Sequence, residues 1–253
     1  MELTATMFLI VCPLLFLAGF VDSIGGGGGL ISLPAFLMAG LPPHAAIATN
    51  KLGAFGGSFT ATIRFIHNRC VSLHLAVPSI IAAILGSSLG ARLSLMVDEK
   101  IMSYILIAIL PLSAFLVLNR KLFNDSGSET VTLDLRTYLT ATAAAFIVGA
   151  YDGFYGPGTG TFLIIAFTAF AKLSIKNANG QAKVINLTTN VTSMIVFLLN
   201  GQIVILLGLA GCLCNMLGGY IGSGLALANG SKIVRPIVIF VLILLFIKIL
   251  SGN

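Results

Sequence analysis

Charge is what this sequence has least of. Acidic and basic side chains make up 9% of its 253 residues, against 57% hydrophobic ones, and the mean hydropathy is +1.05. A soluble domain carries about 25% charged residues. This little polar material cannot cover a water-facing surface, so the chain reads as an integral membrane protein. The net charge of +6 does not point to nucleic acid, because the basic residues sit mostly in short connections between apolar runs, the positive-inside pattern. Cysteine is scarce as well. Cys12, Cys70, Cys212 and Cys214 lie in or beside apolar runs with no histidine or carboxylate at ligand spacing, which supports neither a disulfide framework nor a zinc site and leaves buried, inert thiols. The Gly-Lys-Ser/Thr of a Walker loop is missing, and so are the strand and βαβ unit that a dinucleotide fingerprint on Gly25 to Gly29 would need. No cofactor is expected, and no motif for nucleotide hydrolysis is present. Nor is there a signal-peptide cleavage site after the first apolar run, where Asp22 and the glycines follow; that run reads as a retained span.

Apolar stretches lie at about 4–24, 30–41, 44–66, 73–96, 101–118, 137–155, 161–171, 180–199, 203–228 and 233–250. A full crossing takes about 20 residues, so eight of these can span and the second and seventh are short half-helices. Each half-helix follows a lapse in the apolar pattern: Gly19-Phe-Val-Asp22 before Gly25, Gly26, Gly27, Gly28 and Gly29, and Gly149-Ala-Tyr-Asp152 before Gly156-Pro157-Gly158-Thr159-Gly160. A carboxylate and a broken backbone at such a place are tolerated in lipid only where they line a protein-walled cavity.

The two lapses belong to an internal duplication. Gly19 and Asp22 match Gly149 and Asp152, Gly25, Gly27 and Gly29 match Gly156, Gly158 and Gly160, and further along Lys51 matches Lys183, Gly86 and Gly90 match Gly218 and Gly222, and Lys100 matches Lys232. The expected organisation is a first repeat over 1–118, a polar linker over 119–136 and a second repeat over 137–253. If each half crosses five times, counting the short segment as one crossing, Arg64, Arg69, Arg120, Lys121, Arg136, Lys172, Lys176, Lys232 and Arg235 fall on one side and only Arg92, Lys100 and Lys248 on the other. The richer side is the cytoplasm. If the short segments merely dip in and return, each half crosses four times and the same charges divide almost evenly, which the positive-inside bias disfavours. An odd number of crossings makes the halves inverted, with both termini away from the cytoplasm. The fold expected is therefore an all-α polytopic membrane protein of two inverted repeats, each with about four full spans and one short or broken segment.

Apart from the histidines, four ionisable groups lie deep in apolar segments: Asp22, Lys51, Asp152 and Lys183. Each costs at least about 2.5–3.5 kcal/mol to place there and marks a substrate path, a proton relay or a counter-ion. Two structural ion pairs pinning helices together are the other reading, and the two can coexist. The glycine loops suit an oxyanion, since a helix that starts after such a loop points free N–H groups and the positive end of its dipole into the gap. Gly86/Gly90 and Gly218/Gly222 have the spacing of close helix packing instead. Asn50 beside Lys51, then Asn186 and Asn190 beyond Lys183, make a polar stripe suited to an oxygen-rich ligand, with interhelical hydrogen bonding as the bland alternative. His44, His67 and His74 lie near segment ends and read as interfacial.

Asp22-Ser-Ile-Gly-Gly-Gly-Gly-Gly29, Ala48-Thr-Asn-Lys-Leu52 and Tyr151-Asp-Gly-Phe-Tyr-Gly-Pro-Gly158 resemble the paired signatures of the TauE/SafE sulfite exporter family of bacterial membrane permeases, nearly end to end. The resemblance implies an inner-membrane secondary transporter for sulfite, a sulfonate or another organosulfur anion. It implies a site at Asp22, Gly25 to Gly29, Asn50, Lys51, Asp152, Gly156, Gly158, Gly160, Lys183 and Asn186. Pro157, Thr159 and Thr161 interrupt the second glycine run and make the two cradles unequal. In this reading the lysines offset ligand charge, the loops supply backbone donors, and the aspartates hold the lysines, carry protons, or both. A passive anion channel or an assembly subunit is the alternative. An intramembrane protease lacks support: Tyr151-Asp152 matches half of the aspartyl signature, and two aspartates would serve such chemistry, but no Gly-x-Gly-Asp partner and no Gly-x-Ser-Gly motif is present.

Overall fold

A computed structural model describes residues 3–118 and 134–229, and within them every regular element is a helix. In chain order these are α1 (Ala5–Gly25), α2 (Gly29–Met38), α3 (Pro43–His67), α4 (Leu73–Met96), α5 (Glu99–Leu118), α6 (Leu135–Phe154), α7 (Thr159–Ala169), α8 (Ile175–Leu199) and α9 (Ile205–Asn229). Of the described helices, α1, α4, α8 and α9 are long and apolar enough to cross a membrane. The expected stretch 233–250 and nearly all of the linker lie outside the described residues. The 25 residues of α3 also have the length of a span, but the helix spends part of its surface on Thr49, Asn50, Lys51 and a run of glycines.

Helix boundaries follow local chemistry rather than hydropathy. α3 starts with Pro43 in its first turn, where a missing N–H costs nothing. α6 begins at Leu135, two residues ahead of its apolar run, because Asp134 caps it by accepting from Thr137 N–H at 2.8 Å; the hydrogen bonds from Thr137 hold the Asp134 carboxyl below its ordinary range. α8 begins at Ile175, five residues before the apolar stretch, behind the Ser174 cap. α1 stops where Gly26 turns left-handed at φ 82°, and α7 starts after Gly158 at φ 90°, backbone that residues other than glycine avoid.

Each short helix folds back along the helix before it, rather than continuing straight on as the crossing count above assumed. Leu15, well before the end of α1, and Phe36, well after the start of α2, both crowd Gly53 and Gly211. α2 therefore runs back along α1. In the second half Ala141 and Ala145 of α6 share a core with Leu163, Ile164 and Phe167 of α7. Each glycine loop is thus the tip of a helical hairpin. The cause is local: the left-handed glycines reverse the chain direction where a straight continuation was expected.

The long helices pack in a series α1, α9, α3, α8, α4, α6, so the first helix of each half lies against the fourth helix of the other. The glycines set these contacts. On α4, a methyl on Gly86 would sit 2.2 Å from the Phe146 carbonyl oxygen, and one on Gly90 1.9 Å from that of Ala150. On α9, a methyl on Gly218 would lie 1.9 Å from the Phe16 carbonyl oxygen and one on Gly222 2.3 Å from that of Phe20. Phe16 and Phe20 stand in α1 where Phe146 and Ala150 stand in α6. These four positions are close-packing glycines, as their spacing suggested.

α3 and α8 run antiparallel across the middle. Gly180 near the start of α8 packs on the Cys70 backbone just beyond α3, and Thr49 near the start of α3 accepts from Val204 N–H just beyond α8. Lys51 and Lys183 each lie eight residues inside their helix, about 12 Å from its end. The cysteines are free; Cys70 and Cys212 are buried as expected, whereas Cys12 and Cys214 are half-buried, and no cluster of metal-ligating side chains occurs among the described residues.

Candidate functional site

The two hairpin tips meet backbone to backbone between α3 and α8. A methyl on Gly26 would lie 2.2 Å from the Gly160 carbonyl carbon, one on Gly29 2.8 Å from the Pro157 Cα, and the Thr161 hydroxyl donates to the Gly25 carbonyl at 2.8 Å. Part of the glycine content is therefore spent on bringing the loops together, and the rest faces a cavity beside the contact.

The lysines reach across the halves. Lys51 of α3 pairs with Asp152 of α6 at 3.0 Å, and Lys183 of α8 pairs with Asp22 of α1 at 2.9 Å. Each ammonium also donates to the backbone carbonyl of the same aspartate. These carbonyls lie in the last turns of α1 and α6, at the negative ends of the helix dipoles. The carboxylates face the opposite ends: Asp22 Oδ1 accepts from Gly28 N–H at 3.3 Å at the start of α2, and Asp152 Oδ1 lies 2.6 Å from the Thr159 hydroxyl at the start of α7. The Thr159 hydroxyl is equally close to the Gly156 carbonyl and donates to one of the two at a time. Each broken helix thus holds one ion pair, ammonium on its carbonyl side and carboxylate on its amide side.

The pairs are not equivalent. Both side chains of the Lys51–Asp152 pair are sealed, at 1% and 3% exposure, whereas Lys183 is fully enclosed and its partner Asp22 is 17% exposed. Asn186 donates to Asp22 Oδ2 at 3.3 Å, and Asn190 donates to Asn186 Oδ1 at 3.3 Å. Gly156, at φ 106°, leaves room for the Lys51 ammonium, which a methyl there would approach to 2.9 Å.

Among the anticipated residues, Asp22, Gly26, Gly28, Gly29, Asn50, Lys51, Asp152, Gly156, Gly158, Gly160, Asn186 and Asn190 line one cavity; Gly25, Gly27 and Lys183 do not. Lys183 sits behind Asp22, and Gly25 uses its carbonyl on Thr161. Five lining residues were not anticipated: Ala18, Ser32, Ala54, Thr159 and Asn215. Asn215 accepts from Gly57 N–H and donates to the Leu15 carbonyl, both at 2.9 Å, so it ties α1, α3 and α9 together at the wall. A lone asparagine in the glycine-rich apolar run of α9, with an alanine at the corresponding place in α4, was the available signal. Asn50 is buried, and its Oδ1 has no hydrogen-bond partner among the described residues. A buried amide left open in a cavity is what a ligand or water would satisfy.

The cavity leaves about 30 Å³ for the centre of a water-sized solute, room for roughly two waters. His44 is remote from it, bonded through Nε2 to the Ser94 carbonyl at 2.9 Å.

Comparison with known proteins gives a consistent result. The family described as sulfite exporter TauE/SafE matches residues 11–249. "Probable membrane transporter protein YfcA" of Escherichia coli (strain K12) is 36% identical over 262 residues, covering 100% of this chain and 96% of the relative. A "Probable membrane transporter protein" of Haemophilus influenzae is 34% identical, covering 94% and 92%. "Probable membrane transporter protein ORF9" of a Sinorhizobium species is 35% identical, covering 96% and 92%. No solved structure matches the chain significantly.

Proposed function

Because the chain belongs to the TauE/SafE family of membrane transporters, we propose that it is a gradient-driven permease for a small oxyanion, sulfite or a compact organosulfur anion, in the bacterial inner membrane. The observation that carries this reading is the cavity at the meeting of the two glycine loops, where the starts of α2 and α7, Asn50, Asn186, Asn190 and Lys51 come together. The starts of two helices bring the positive ends of their dipoles to this space, which favours an anion. The small volume favours a ligand of a few heavy atoms over a long sulfonate.

Those pairs shape the mechanism. Two lysines and two aspartates sum to zero charge, so an entering anion meets cations already neutralised. Protonating one aspartate frees one positive charge for one anion. In this reading the aspartates both hold the lysines and admit the proton that accompanies the substrate. Reconstituted protein should show saturable counterflow of labelled sulfite. Linear, non-saturating flux would make it a channel, and no flux of any small oxyanion would end the transporter reading.

The hairpins change the crossing count without changing sidedness. If α1 and α2 return to one side, the first half crosses three times, at α3, α4 and α5, and the second would match it through α8, α9 and the apolar stretch expected at 233–250. Three is odd, so the halves remain inverted, the same nine basic residues face the cytoplasm and both termini face away from it. Cysteines introduced at Asn68 and Asn200 in a background free of native cysteines should label from opposite sides of the membrane. Labelling from one side would make the repeats parallel.

A further inference from the structure

The ligands of the two lysines are the ligands of a metal cation. Each ammonium is held by a last-turn backbone carbonyl of a broken helix and by the carboxylate of the same residue, Asp22 for Lys183 and Asp152 for Lys51. Transporters built on broken helices place coupling sodium ions at such helix ends, where unwound or terminal carbonyls point into the break. Here the lysines fill those places, at 0% and 1% exposure. The neighbouring carbonyls are also taken. Asn179 donates to the Ile24 carbonyl at 3.1 Å, Thr161 to that of Gly25, and Gly26 N–H closes on that of Asp22 at 2.8 Å. At the end of α1 this leaves no set of carbonyls for a second cation. In the other half, Gly156 leaves its side-chain space to the Lys51 ammonium.

We infer that each lysine is a tethered replacement for a monovalent cation at a helix break, so that the protein works without sodium, and that trimming either lysine exposes a sodium site. Shortening Lys183 to alanine would leave a carbonyl, a carboxylate and a water-sized void, an all-oxygen set suited to a hard cation. The tether has a mechanistic consequence: the cation cannot leave with the substrate, so the only mobile positive charge at these positions is a proton on the aspartate. The inference concerns what occupies the helix ends and needs no knowledge of the transported anion.

The test is the melting temperature of purified protein in sodium chloride and in N-methyl-D-glucamine chloride at matched ionic strength. Wild type should melt at the same temperature in both. Lys183→Ala and Lys51→Ala should each gain roughly 3 °C or more in sodium, as expected for a ligand that binds the folded state alone. The double variant Lys183→Ala with Asp22→Asn should lose the gain, because the carboxylate that would hold sodium is gone. Stabilisation of wild type by sodium would overturn the inference. So would indifference of both alanine variants, or failure of both to fold in sodium, since sodium is required to take the lysine's place. A null result for sulfite flux would leave this result standing, and the reverse also holds.

Discussion

Replacing Lys51 by methionine should cut anion flux roughly thirty-fold or more, and restoring the charge balance with Asp152→Asn should rescue the protein but not the flux. The single substitution leaves Asp152, 3% exposed, as an uncompensated buried charge, which costs about 3–5 kcal/mol. Total stabilities of about 5–15 kcal/mol survive such a loss in part, so the yield of folded protein should fall. Neutralising Asp152 as well removes the cause, because replacing both members of a buried pair by uncharged groups is close to neutral for stability. Flux follows a different rule. Lys51 is the lysine that lines the cavity, and losing a charged contact to a ligand costs about 2 kcal/mol or more, roughly thirty-fold in affinity or rate. The measurement is counterflow in proteoliposomes alongside the melting temperature for both variants. A double variant that transports like wild type would show that the pair is architectural. Lys183→Met should be gentler on stability, since Asp22 keeps the Gly28 N–H and Asn186 and faces the cavity.

The second large effect is expected at the aspartates, and it should differ between them. Asp22 is the more accessible carboxylate, 17% exposed on the cavity wall; Asp152 is locked between Lys51 and Thr159. If a proton accompanies the anion, Asp22→Asn fixes the carboxylate in its neutral form and leaves Lys183 permanently free to attract substrate. Accumulation driven by a pH gradient should then collapse to the level of passive exchange, while gradient-free counterflow stays within about three-fold of wild type. Asp152→Asn should reduce both together, because it also releases Lys51 and the start of α7. Equal loss of accumulation and counterflow in Asp22→Asn would reduce that residue to a structural partner. Wild-type accumulation would remove it from coupling.

Much of this arrangement was legible before any coordinates, and the reasons are local. Long apolar runs bounded by polar turns give α4 at its observed limits, 73–96, since hydropathy and helix ends coincide there. The duplicated glycine loops, aspartates and lysines stand out because lipid tolerates so few of them. The partnership was not legible. Matching Lys51 to Lys183 and Asp22 to Asp152 says that the pairs are related, yet pairing within a half and pairing across halves satisfy that relation equally. Only the packing of α1 on α9 and of α6 on α4 decides for the crossed pairs. The hairpin tips were hidden for a similar reason. A five-glycine run says that the chain breaks, and the left-handed turn at Gly26 that sends it backward is one of several conformations such a run permits. Asn215 was passed over because a single amide in an apolar run is common, and its role depends on a bare backbone, Gly57, standing opposite.

The crossed pairing bears on how the protein is made. Lys183 lies 161 residues after Asp22. At synthesis rates of about 5–20 residues per second, the carboxylate waits roughly 10–30 s in the membrane before its partner leaves the ribosome. During that interval α1 also lacks α9, the surface that covers its own apolar face. The first half is therefore an incomplete body at birth, with Asp22 lacking its Lys183 partner until the second half arrives. Halves expressed as separate chains should accumulate only when produced together, each serving as the other's folding partner.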